Sequence, residues 1–274
     1  MIYLSALRRL TGYAPDAAAF PWSLPLVQSL KTLSFDTPVT FLVGENGSGK
    51  STLLEGVAAG MDAVAVGRRD LRRDPSLEAA RSFAAGFVFA RRRHARTRLF
   101  LRAEDVFGFT LRVTDEMAEL QSQAAELAAT IPEGYGRRLA VGAVEGQRAA
   151  FARSYGANPD GRSHGETFLA LLQRRLAPNG LYFLDEPETP LSPSRVLAMM
   201  ALITDRVANR CQFIIATHSP MLMALPGATI LLAEGGALRP VAWEDLEHVR
   251  VMRAFLADPQ SVLRNVIAEP GTSD

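Results

Sequence analysis

Val39-Thr40-Phe41-Leu42-Val43 runs straight into Gly44-Glu45-Asn46-Gly47-Ser48-Gly49-Lys50-Ser51-Thr52, and from there into Leu53-Leu54-Glu55-Gly56-Val57-Ala58-Ala59. The first five residues, apolar except for Thr40, have the form of a buried strand, and the last seven read as a helix. Between them lies the pattern Gly, four residues, Gly-Lys-Ser. Glycines at that spacing let the backbone close around phosphate groups, whose charge is met by successive N–H groups and the start of the helix. On this reading Gly44, Glu45, Asn46, Gly47, Ser48, Gly49, Lys50, Ser51 and Thr52 bind a nucleotide, with Lys50 reaching the β and γ phosphates and Ser51 ligating magnesium. A glycine-rich turn without a ligand is the plainer alternative, and the placement between an apolar strand and a helix weighs against it.

A second apolar run ends in acids: Leu181-Tyr182-Phe183-Leu184-Asp185-Glu186-Pro187-Glu188. A short buried strand delivers two adjacent carboxylates at its end. Phosphoryl transfer needs a group that positions a metal and one that orients the attacking water; Asp185 suits the first and Glu186 the second. Such a run alone is a weak signal, and it gains weight by following the phosphate-loop pattern.

Composition sets the frame around these two stretches. The 274 residues are 48% hydrophobic and 22% charged, enough to build a sizeable core. The 30 basic and 29 acidic residues exclude a globally basic nucleic-acid coat and an acidic tail protein. Lys31 and Lys50 are the only lysines, so 28 of the basic residues are arginines, and one of the two lysines stands in the phosphate pattern. From Gly67 to Arg112, twelve arginines stand against five acids, densest at Arg91-Arg92-Arg93, Arg96, Arg98 and Arg102. These arginines could face DNA or form an ordinary solvated surface. Cys211 is the single cysteine and opens an apolar run, which reads as a packed strand residue in a reducing, cytoplasmic setting. The N-terminus lacks the order of a secretory signal, and no apolar stretch reaches ~18 residues, the length of a membrane span.

Strands are expected at Met1–Leu4, Gly86–Ala90, Arg98–Leu101 and Phe213–Ala216, with a hairpin of Ile230–Ala233 and Leu238–Val241. Helices are expected from about Glu104 to Ala129, over Thr167–Leu176, Pro193–Arg210, Trp243–Leu256 and Ser261–Ile267. Residues 131–162 read as inserted loops with one small helix, and Tyr13–Leu26 as a loop or a ligand-facing edge. Strands alternating with helices give an α/β fold.

With these stretches in place, the chain resembles the ATP-binding-cassette superfamily of P-loop ATPases, and more closely the stand-alone AAA-type ATPases related to SMC and DNA-repair ATPase heads. Leu184-Asp185-Glu186-Pro187-Glu188, followed by Thr189-Pro190-Leu191-Ser192, is similar to that family's Walker B and D-loop. Ala216-Thr217-His218-Ser219-Pro220 is similar to its switch histidine, which implies that His218 bonds the γ-phosphate or the attacking water; a satisfied packing histidine is the alternative. Ser163-His164-Gly165-Glu166 occupies the place of the signature sequence, with His164 departing from the usual small residue. The resemblance implies that Ser163 and Gly165 bind the nucleotide of a second copy, while a capping box of Ser163 and Glu166 is the local alternative. The family's metal-linking glutamine has no evident counterpart; Glu104 is the candidate by order, or else an acid favoured at a helix start. Tyr13, Phe20 and Trp22 are candidates for stacking on adenine, or for the core.

The resemblance therefore implies one ABC-type ATPase domain over 1–274. Its nucleotide-binding core would span approximately 1–100 and 177–274, with N-terminal antiparallel strands, and a helical lobe would be inserted over approximately 101–176. It implies ATP and Mg2+ as ligands, hydrolysis with Lys50, Glu186 and His218 as catalytic groups, and Ser51, Asp185 and Glu104 as metal ligands. It further implies an ATP-dependent homodimer, a further protein partner, and work in DNA maintenance or defence. The alternatives are the motor subunit of a membrane permease and a nucleotide-operated binding switch with little turnover.

Overall fold

The structure, a computed structural model, describes residues 1–65, 78–155 and 164–266. In chain order its strands are β1 (Leu4–Arg9), β2 (Thr32–Ser34), β3 (Val39–Gly44), β4 (Val64–Ala65) and β5 (Phe87–Arg91), then β6 (Thr97–Arg102), β7 (Gly180–Asp185), β8 (Gln212–Ala216), β9 (Thr229–Glu234) and β10 (Ala237–Pro240). The helices are α1 (Pro25–Ser29), α2 (Lys50–Gly60), α3 (Glu78–Ala85), α4 (Ala103–Thr130) and α5 (Tyr135–Tyr155). They continue with α6 (His164–Arg175), α7 (Pro193–Ala208), α8 (Pro220–Met223), α9 (Glu247–Ala257) and α10 (Pro259–Val266).

The larger sheet runs β10-β9-β3-β8-β7-β6-β4 and is parallel from β9 to β4, with β10 antiparallel at one edge. Its central strands β7 and β8 are buried along their whole length, as are the first five residues of β3. Parallel strands covered on both faces read as continuous apolar runs, which is why these three stretches stand out in the sequence. Side chains alternate between the faces. Phe41, Tyr182, Leu184, Phe213 and Ile215 join a core with Phe168 and Leu172 of α6 and Met199 and Ile203 of α7. Leu42, Leu181, Phe183 and Ile214 join a second core with Leu53, Leu54 and Val57 of α2 and with Leu4 and Leu7 of β1. Each such side chain contributes about 1.5–3 kcal/mol through burial.

The smaller sheet is antiparallel, in the order β2-β1-β5. It is tied to the larger one by Gln212, a fully buried polar residue at the start of β8. Tyr3 and Leu4 donate their amides to Gln212 Oε1 at 2.7 and 3.0 Å, and Gln212 Nε2 donates to the Leu4 carbonyl at 2.9 Å. The first strand begins at Leu4, later than the sequence suggests, and the Tyr3 amide just before it is taken up by the Gln212 side chain.

The architecture is the α/β fold with N-terminal antiparallel strands and helical insertions expected of a P-loop ATPase core; α4, α5 and α6 all lie between β6 and β7. One expectation fails here. Residues 135–155, read as loops with a small helix, form the 21-residue helix α5. Gly136, Gly142 and Gly146 each cost a helix about 1 kcal/mol. The alanines, arginines and Glu145 between them favour one, and α5 packs along α4, with Arg148 donating to Gln121 at 3.3 Å. Ser163, Arg68, Arg69, Arg72, Arg73 and Ile267 lie outside the described residues. Among the described residues no helix is long and apolar enough to cross a membrane.

Candidate functional site

Neighbouring strands end together. Leu42 of β3 pairs with Ala216 of β8, Ala216 with Asp185 of β7, and Asp185 with Arg102 of β6. The segments leaving the carboxyl ends of β3, β7 and β8 therefore meet on one edge, where open α/β sheets place their ligands.

The segment after β3 is the phosphate loop. Gly44 has φ 148°, and a Cβ there would come within 2.5 Å of the Ala233 carbonyl oxygen on β9. Gly49, at the start of α2, has φ 93°, a left-handed conformation that other residues adopt at a cost. Glycine also leaves the helix without a side-chain cap, so the first-turn N–H groups of α2 are available to an anion. Lys50 is buried, and its Nζ donates to the carbonyls of Gly44 and Glu45 at 2.8 and 2.7 Å, with Ser48 Oγ at 3.4 Å. Burial lowers the pKa of its ammonium, opposed by the charges of Glu186 and Asp185. Gly44 to Ser48 and His218 line a cleft of about 860 Å³ that also takes in the β9–β10 turn and His248.

Asp185 ends β7 and is 3% exposed. Ser51 Oγ donates to its Oδ1 at 3.0 Å, and Arg102 Nε donates to Oδ2 at 3.2 Å. Arg102 also pairs through Nη2 with Glu55 of α2. Burial raises the Asp185 pKa, while the Arg102 charge and the Ser51 hydrogen bond pull it down. A hydroxyl and a carboxylate oxygen side by side form a hard, all-oxygen donor pair that fits magnesium, which takes one or two protein oxygens and completes its shell with phosphate and water.

Glu186 turns the chain with φ 46°, unusual outside glycine, and its amide donates to the Ala216 carbonyl at 2.9 Å. Its Oε1 lies 3.7 Å from His218 Nε2; both side chains are partly exposed, and His218 lines the cleft. Of the remaining candidates, Asn46, Gly47 and Ser48 lie in the loop lining the cleft, and Thr52 lies in the first turn of α2. Glu104 is the second residue of α4, and its side chain is outside the described ones. Gly165 is buried in the first turn of α6, where a Cβ would meet the Pro190 carbonyl at 2.8 Å. Glu166 pairs with Arg195 at 2.6 Å, so α6 starts against the segment that follows Glu188.

Trp22 belongs to the core. It is 2% exposed, stacks near-parallel on Phe83 and Phe87, and donates Nε1 to Ser82 at 2.9 Å. Four residues gathered here have no role in this site on the sequence alone: Arg102, Glu55, Glu188 and His248. Arg102 had a weak signal, a charge closing an apolar strand. His248 lines the cleft with an enclosed, unpartnered Nε2, and burial lowers its pKa.

Two family matches fall on the two halves of this site. Residues 26–101 match the family described as "AAA domain", and residues 166–224 match "AAA domain, putative AbiEii toxin, Type IV TA system". No curated protein matches the chain. Among solved structures, the SMC head domain from Thermotoga maritima is 16% identical, with 88% of this chain and 100% of that chain covered and a TM-score of 0.39. The Smc head domain from Pyrococcus furiosus bound to the C-terminal domain of ScpA is 13% identical, with 95% and 100% covered and a TM-score of 0.42. For cbiO1 from Clostridium perfringens, part of the ABC transporter complex cbiONQ, the identity is 15%, the coverage 97% and 100%, and the TM-score 0.43. On the two family matches and the strand–loop–helix geometry around Lys50, the chain is similar to AAA-domain proteins over residues 26–101 and 166–224, the two stretches that build this site.

Proposed function

We propose that the protein hydrolyses ATP with magnesium and that ATP binding closes two copies head to tail. The observation that carries this reading is the gathering of Lys50, Ser51, Asp185, Glu186 and His218 at the carboxyl ends of adjacent strands.

In this reading Lys50 exchanges the carbonyls of Gly44 and Glu45 for oxygens of the β and γ phosphates, and the first-turn amides of α2 hold the phosphates beside it. Ser51 and Asp185 would hold magnesium, with Glu104 a further candidate by its place; when bound, the metal neutralises charge on the phosphate oxygens. Glu186 orients the attacking water and accepts its proton. The water oxygen bonds to the γ phosphorus, the bond to the β,γ-bridging oxygen breaks, and ADP and phosphate result. His218 donates a hydrogen bond to the γ-phosphate or to that water.

Ser163 and Gly165 act on the nucleotide of the opposite copy. The support is the seating of α6 against Pro190 and Arg195, which links its first turn to the segment after Glu188. The helices α4 to α6 serve as the lobe through which closure is passed on. The output is work on DNA, in maintenance or defence, or on a protein partner in the cytoplasm. Arg92, Arg93 and Arg96 are exposed beside β5, whereas Arg91 and Arg98 are drawn to Asp62 at 3.5 and 3.4 Å.

Sedimentation velocity of Glu186→Gln tests the closure. A shift from monomer to dimer is expected on adding Mg-ATP, because a trapped nucleotide holds both faces together. A monomer in both conditions would sink the head-to-tail model.

A further inference from the structure

Three residues past Asp185, the structure contains a carboxylate that the proposed chemistry does not use. Glu188 Oε1 accepts three hydrogen bonds from the segment after β8: Thr217 Oγ1 at 2.6 Å, the His218 amide at 2.9 Å and the Ser219 amide at 3.1 Å. The Ser219 amide also donates to Thr217 Oγ1 at 3.0 Å, closing a small ring of contacts. Thr217 is fully buried, and Glu188 Oε2 is enclosed with no hydrogen-bond partner, so the interaction is concentrated on one oxygen away from water. Bonds from hydroxyl and amide donors to a charged oxygen are among the stronger and more directional ones.

The covalent neighbours limit the alternatives. Pro187 precedes Glu188 and Pro220 follows Ser219, so neither flank offers an amide there. Ser219 Oγ is occupied in capping α8 through the Leu222 amide at 3.2 Å. Residues 216–219 are thus held to the segment after β7 by Glu188 and by the Glu186 amide on the Ala216 carbonyl, and to β3 by the Thr217 amide on the Leu42 carbonyl at 3.2 Å. That backbone carries His218, whose Nε2 lies 3.7 Å from Glu186 Oε1.

We propose that Glu188 is a positioning residue: its carboxylate fixes the Thr217–Ser219 backbone and thereby sets the His218 ring beside Glu186. The inference rests on the roles proposed above for Glu186 and His218. A displacement of about 1 Å in such a ring is enough to lower turnover roughly 10²-fold.

The test combines amide exchange with a double-mutant cycle on the full chain. In Glu188→Ala, hydrogen exchange at the His218 amide is expected to accelerate at least about tenfold, since it loses its acceptor, and exchange at the Ser219 amide to accelerate less, since that amide keeps Thr217 Oγ1. Turnover should fall roughly 10²-fold with the KM for ATP held. Glu188→Gln, which keeps an oxygen acceptor, should restore most of the protection and turnover. Glu188→Ala combined with His218→Ala should be no slower than His218→Ala alone, because both changes remove one function. Unchanged amide exchange in Glu188→Ala, or multiplying losses in the double variant, would overturn the proposal. Should Glu188→Ala fail to fold, Thr217→Val removes one donor to Glu188 at nearly constant volume and must show faster exchange at the His218 amide, which Glu188 alone accepts. If His218→Ala turns over normally, the role given to His218 is what fails, and Glu188 stands or falls on amide exchange.

Discussion

Arg102 stands between two carboxylates, Asp185 at the end of β7 and Glu55 on α2. The side chains of Arg102, Glu55 and Asp185 are 22%, 16% and 5% exposed, so their charges interact with little screening by water. Removing the guanidinium leaves two acids facing each other at the phosphate edge. Arg102→Ala is therefore expected to lower stability by about 1–3 kcal/mol, read as a shift of the urea midpoint without change in slope. An unchanged midpoint would show the pairings to be incidental. Lysine at this position keeps the charge but lacks the fork that serves two acceptors. The contrast with Lys50 explains what was legible at this scale. Lys50, Ser51 and Asp185 sit in local patterns whose spacing states their chemistry. Arg102 meets Asp185 across 83 residues, and Glu188 meets Thr217 across 29, so no window of sequence contains either pairing.

At the scale of elements, the strands that could be read were those buried on both faces. β3, β7 and β8 announce themselves as apolar runs because no side of them meets water. The 21-residue α5 was obscured by Gly136, Gly142 and Gly146, whose cost is offset by a neighbour, α4, that a local pattern does not contain. The joint between the two sheets was hidden likewise. Gln212 looks like an ordinary polar residue opening an apolar run, yet it satisfies three backbone groups more than 200 residues away. Gln212→Leu would leave the amides of Tyr3 and Leu4 and the carbonyl of Leu4 buried without partners. Each unmet group costs about 1–3 kcal/mol, so a loss of at least ~2 kcal/mol is expected by chemical denaturation. Hydrogen exchange should localise the damage to β1. A variant as stable as wild type would mean that the small sheet is held by its apolar face alone.

For the whole molecule, the order of strands does the functional work. Placing β8 between β3 and β7 brings the phosphate loop, the acidic pair and the histidine segment to one edge, although they are spread over residues 44–219. The helices between β6 and β7 leave that edge and return to it at α6, whose first turn packs on the segment after Glu188. The phosphate-loop edge thus lies a short mechanical route from the helical insertion. Hydrolysis at this edge is tested most directly by steady-state phosphate release from Mg-ATP by wild type and Glu186→Gln. We expect wild-type turnover and a fall of roughly 10²-fold or more in the variant, with ATP still bound, because the water loses its proton acceptor while the phosphate loop is untouched. Equal phosphate release by the two proteins would contradict the assignment of the reaction to this site.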